Sequence, residues 1–131
     1  MTETKEIRVH ISDLHGDHRI WLSALVFYKQ EVALLEDRIA EIAKRNTATE
    51  VLAEVEHFQN QYIRQAEVID TLRNKINHHV DDLAREYKER PVAVDHRLFT
   101  DHTGMREEMD TFESIYGELK RELMRWLAKR M

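Results

Sequence analysis

The stretch HISDLHGDH, residues 10–18, places His10, His15 and His18 just ahead of a strongly apolar segment. Five further histidines follow: His57, His78, His79, His96 and His102. Neutral imidazoles and carboxylates are the donors from which zinc, iron, copper or nickel sites are built, and helical bundles assemble such sites from side chains converging from different helices. The chain has no cysteine, so thiolate ligands, disulfides and cysteine nucleophiles are excluded. The same histidines also have a plainer use. An imidazole at a helix end or a half-buried position is satisfied by one carboxylate or carbonyl. Several of them charging together below about pH 6.5 would loosen the end of the molecule that carries them.

Whether these side chains can meet depends on the elements that carry them. From Trp21 the apolar positions run Leu25, Tyr28, Val32, Leu35, Ile39 and Ile42, in steps that alternate four and three. That is a heptad seam, which implies long, near-parallel packing against other helices. Extended backwards, the seam passes through His18 and Leu14. A second run carries Val51, Val55, Phe58, Tyr62, Ala66, Ile69, Leu72, Ile76, Val80, Leu83 and Tyr87. Either His79 or Val80 takes the step before Leu83. A third run carries Leu98, His102, Met105, Met109, Phe112, Tyr116, Leu119, Leu123 and Trp126.

The punctuation fits three helices, at about residues 13–45, 48–89 and 95–130. Ser12 and Asp13 are candidate N-caps, and Gly16 weakens the turn that follows. Asn46 can end the first helix, and Thr47 with Glu50 has capping-box spacing for the second. The residue before Pro91 avoids the α region, and Asp95 can cap the third helix. Residues 1–11 alternate at Ile7, Val9 and Ile11 and read as an extended arm. The expected fold is a single all-α domain spanning residues 1–131. It is an up-down-up antiparallel bundle of three long helices with coiled-coil-like packing, and a break of the second helix near 76–80 is the alternative.

Counting 1.5 Å per residue away from the two turns puts His18, His79 and His102 within about two turns of one another. These three are the candidate metal ligands. His15, His78, His96, Asp101 and Glu108 belong to the same end and stand as reserve ligands. Asp17, Asp81, Asp82 and Asp101 are placed to orient the ligating rings from outside. The metal expected of such donors is a transition metal such as zinc or iron.

Other patterns carry less. Glu54 and His57 have the Glu-x-x-His spacing of carboxylate di-iron bundles, but Val55, Phe58 and Tyr62 define the inward face. The chain resembles hemerythrin-like proteins in being a histidine-rich helical chain, yet EHFQNQY has glutamine where a His-x-x-x-Glu pattern needs a carboxylate. His57, Gln61 and Gln65 share a side that reads as solvated. Trp21, Tyr28, Phe58, Tyr62, Phe112, Tyr116 and Trp126 lie at seam spacing and read as core. The basic residues Lys120, Arg121, Arg125, Lys129 and Arg130 suit the negative end of a helix dipole. There is no glycine-rich phosphate loop and no nucleophile-elbow serine.

Composition supports this outline. Charged residues make up 34% of the 131, against the usual quarter, while 42% are hydrophobic, with one proline and three glycines. Both signs are interspersed and the net charge is −5, so nucleic acid is not an expected partner. The charged N-terminal stretch is no secretory signal, and no apolar run reaches the ~18 residues of a membrane span. The expected location is the cytoplasm. Phe27, Leu34, Ile63 and Met124 widen the apolar faces beyond the seams, and a homodimer would cover them. With no catalytic signature, the leading expectation is a non-catalytic protein-interaction or scaffold bundle. The alternative is a metal-binding bundle with a histidine/carboxylate site, formed by the start of helix 1, the end of helix 2 and the start of helix 3. An enzyme built on that metal ranks below both.

Overall fold

The structure is a computed structural model that describes the backbone of residues 2–89 and 96–130 and the side chains of residues 14–89 and 98–130. It contains three helices, α1 (Thr2–Arg45), α2 (Thr49–Glu89) and α3 (His96–Arg130), packed against one another. No strand occurs among the described residues. The bounds of α2 and α3 fall within one residue of those expected; Pro91 and Asp95 lie outside the described residues. No described helix is long and apolar enough to cross a membrane.

The N-terminal arm is a correction. Residues 2–11 are not extended but form the first turns of α1. Glu3, Lys5, Glu6 and Arg8 are good helix formers, no glycine or proline interrupts them, and three alternating apolar residues without a partner strand cannot hold a strand. Ser12 and Asp13 therefore lie inside α1 and do not cap it. Gly16 is passed through at a cost of about 1 kcal/mol relative to alanine. The side chain of His10 lies outside the described residues.

The other ends follow local chemistry. Asn46 Nδ2 donates to the Ile42 carbonyl at 2.8 Å, satisfying one of the orphan acceptors that end α1. Leu52 N–H donates to the Ala48 carbonyl at 3.1 Å, so Ala48 takes the N-cap position of α2. The Thr47–Glu50 box is therefore offset by one residue. α2 runs unbroken through 76–80, since residues 49–89 contain neither glycine nor proline.

The chain divides into two compact units, Met1–Leu25 with Thr71–Asp110, and Val26–Asp70 with Thr111–Met131. The first gathers the start of α1, the end of α2 and the start of α3, as an up-down-up path requires. Its core includes Leu14, Trp21, Leu25, Ile76, Leu83, Leu98 and Met109. Each buried aliphatic side chain contributes roughly 1.5–3 kcal/mol. The second unit is lined by Ile39, Val55, Tyr62, Phe112, Tyr116 and Leu123, among others. There Tyr116 OH donates to Glu31 at 2.6 Å and Lys120 Nζ to the same carboxylate at 2.9 Å. Glu54 accepts from Trp126 Nε1 and from Arg130. With His57 exposed, the Glu54–His57 spacing belongs to a packing contact between helices.

The buried positions of α2 are 51, 55, 58, 62, 65, 69, 72, 76, 79 and 83. The four-three alternation thus holds more strictly than apolarity alone indicates. Gln65 and His79 take seam positions, while Ala66 and Val80 are half-buried and Tyr87 is exposed. Gln65, read as part of a solvated side, is 5% exposed, and its Oε1 has no hydrogen-bond partner.

Candidate metal centre

His18, His79 and His102 meet inside the first unit, one from each helix. α1 delivers His18 between Leu14 and Trp21, α2 delivers His79 between Ile76 and Leu83, and α3 delivers His102 between Leu98 and Met105. Every one of those six neighbours is buried, so the seam that builds the core also turns the three rings inward. The rings are 2%, 5% and 2% exposed. Their centroids lie 5.0 Å apart for His18–His79, 5.0 Å for His18–His102 and 5.5 Å for His79–His102. One ring nitrogen from each lies within 4.8 Å of the other two.

The hydrogen bonding of this cluster is one-sided. His102 Nε2 lies 2.9 Å from Asp17 Oδ2, and Arg106 donates to the same carboxylate oxygen. With a carboxylate as acceptor, His102 carries its proton on Nε2, leaving Nδ1 as a bare lone pair. Nδ1 of His102, Nε2 of His79 and both ring nitrogens of His18 are buried without a hydrogen-bond partner. A buried polar atom left unpaired costs about 1–3 kcal/mol, and native cores hold few of them. Four such atoms meet at this one cluster, while Gln65 Oε1 and the Tyr62 hydroxyl lie in the second unit. Trp21 stacks on His102 at 4.8 Å and 28°, which restrains the ring further.

The electrostatics keep the rings neutral. Burial pushes the His18 pKa down to about 4, helped by the neighbouring His79 and His102. Burial also lowers His79, again with His102 contributing. It lowers His102 too, against an opposing pull from Asp17. For Asp17, burial acts upward, but the hydrogen bonds from His102 and Arg106 outweigh it and hold the carboxyl below its ordinary range. The result is three neutral imidazoles, one oriented by a carboxylate that is itself held by a guanidinium. Metal-ligating histidines are ordinarily arranged in this way.

The reserve residues fall elsewhere. His15 is exposed, its ring 6.4 Å from that of His18. His78, Asp101 and Glu108 are exposed and line a groove of about 450 Å³ that also reaches His79. Glu108 is engaged by Lys75 at 3.1 Å, and Asp82 by Arg85 at 2.8 Å. The His96 side chain lies outside the described residues. Of the four aspartates considered for orienting a ring, Asp17 makes the bond to a triad histidine. Arg106, one turn after His102 on α3, joins the site through Asp17, a partner that spacing within α3 does not indicate. Seam spacing marks Trp21 as core and carries no sign of its stacking on His102.

The fold and site together define a three-helix bundle with a buried histidine triad. Comparison with known protein families, with curated proteins and with solved structures finds no match to the chain.

Proposed function

We propose that this chain is a metal-binding bundle that holds one transition-metal ion through His18, His79 and His102. The observation that carries this reading is the convergence of unpartnered, buried ring nitrogens from three helices. Zinc fits the donor set: it takes imidazole nitrogens at about 2.0–2.1 Å, tolerates three protein ligands, and asks for tetrahedral geometry. Nitrogens around such an ion stand roughly 3.3 Å apart, so the rings draw in by about 1 Å on binding. Copper binds such nitrogens more tightly in general, and availability decides between the two.

The test is elemental analysis of untagged protein purified without chelator and without nickel resin. Near-stoichiometric zinc or another transition metal, lost on replacing His18, His79 or His102 by alanine, is the expected result. A metal-free preparation that shows no thermal shift with added zinc or cobalt overturns the reading.

A second reading, as a self-associating interaction module, is favoured by the apolar surface of the second unit. Phe27, Leu34, Ile63 and Met124 are exposed, and a groove of about 690 Å³ runs past Leu34, Met124, Leu127 and Ala128. A helix from a second copy would cover such a face. Sedimentation equilibrium checks it: a dimer that Leu34→Lys converts to monomer supports the reading, and a monomeric wild type removes it.

A further inference from the structure

Resting on the metal reading, we propose that the ion keeps a fourth coordination position for a small anion, reached through the groove beside His79. Two observations carry this, one of charge and one of space.

Three neutral imidazoles bring no negative charge to a divalent ion. The carboxylate bonded to the triad, Asp17, is matched by Arg106, so its charge is already offset. A tetrahedral ion held by the triad thus retains a double positive charge among rings that are 2–5% exposed. A charge without a counter-charge is costly in such surroundings, and Coulombic attraction rises steeply as the effective dielectric falls. The fourth ligand that relieves this is an anion small enough for one coordination position. Hydroxide drawn from water and an inorganic monoanion share that chemistry.

His79 is 5% exposed, has an unpartnered Nε2, and contributes to the wall of the 450 Å³ groove. Gly104, two residues beyond His102, also lines the groove, and a Cβ there would meet nothing within 4 Å, so alanine fits and only a bulky side chain would fill the path. Of the three carboxylates that line the groove, Glu108 is paired with Lys75 and Asp82 with Arg85, so Asp101 alone is left to oppose an entering anion.

Cobalt(II) tests the inference, because its visible spectrum reports coordination directly. Cobalt-loaded wild type is titrated with azide, and in parallel with chloride as a weakly binding control, at fixed pH. The expected result is a saturable spectral change with azide. In Gly104→Trp, cobalt still binds but azide binds about tenfold more weakly; Gly104→Ala behaves as wild type. Failure of cobalt to bind overturns the metal reading itself. Cobalt that binds with a spectrum unmoved by azide overturns the open position and leaves the metal reading standing. Equal azide affinity in Gly104→Trp and wild type overturns the groove as the route.

Discussion

At the scale of single residues, the site depends on which nitrogen of each ring is left bare. Asp17 settles this for His102 by accepting its Nε2 proton. Asp17→Asn, an amide that no longer favours that tautomer, should weaken metal binding about 10–100-fold while the helices remain intact, measured by competition with a chromogenic chelator. The metal-free protein should also lose stability in mild acid. All three imidazoles are held below their ordinary pKa by burial, so the unfolded chain takes up protons that the folded chain refuses. The triad's contribution is complete above the ordinary value of 6.5 and is lost as the pH falls toward about 4 for His18. A thermal midpoint of metal-free protein that stays flat across that window, or that falls equally in His18→Leu, contradicts this. Much of the site was legible from spacing: His18 and His102 fall on their seams, and His79 was one of two candidates for its step. The reserve ligands were placed by height alone, which says nothing of which way an exposed side chain points. Arg106 was hidden because its partner lies 89 residues away on another helix.

At the scale of elements, the seams decide what each helix tolerates. Gly16 lies within α1, and a Cβ there would meet nothing within 4 Å. Gly16→Ala should therefore raise unfolding free energy by about 0.5–1 kcal/mol in urea titration, by removing chain entropy from the unfolded state. Gln65 is the opposite case, an amide in the α2 seam with Oε1 unsatisfied. Gln65→Leu should stabilise the second unit by roughly 1 kcal/mol or more, and a destabilised variant would point to a partner for that oxygen. The three helices were legible because the four-three alternation outlasts every local weakness. Two things were not. Apolarity favours Ala66 over Gln65 and leaves Val80 level with His79, where strict periodicity selects Gln65 and His79. The first turns of α1 were missed because a short apolar alternation outweighed a run of good helix formers.

At the scale of the whole molecule, a bound metal should show as stability. Zinc at a hundred times its dissociation constant adds about 2.7 kcal/mol, which for a chain of this size raises the thermal midpoint by about 10 °C. Hydrogen exchange should locate the effect, with the largest new protection around residues 14–25, 76–83 and 98–105. A heptad seam of leucines, isoleucines and aromatics repeats itself, so one helix can slide seven residues along another and still find an apolar partner. The level at which His18, His79 and His102 face one another has no equivalent seven residues away. A slip of any one helix would part its imidazole from the other two, and a slip of α1 or α3 would also forfeit the Asp17 bond. The triad thus marks a zero point on a ruler whose other described marks, Gln65 apart, are apolar, and the alignment of three helices can be read from a single layer of side chains.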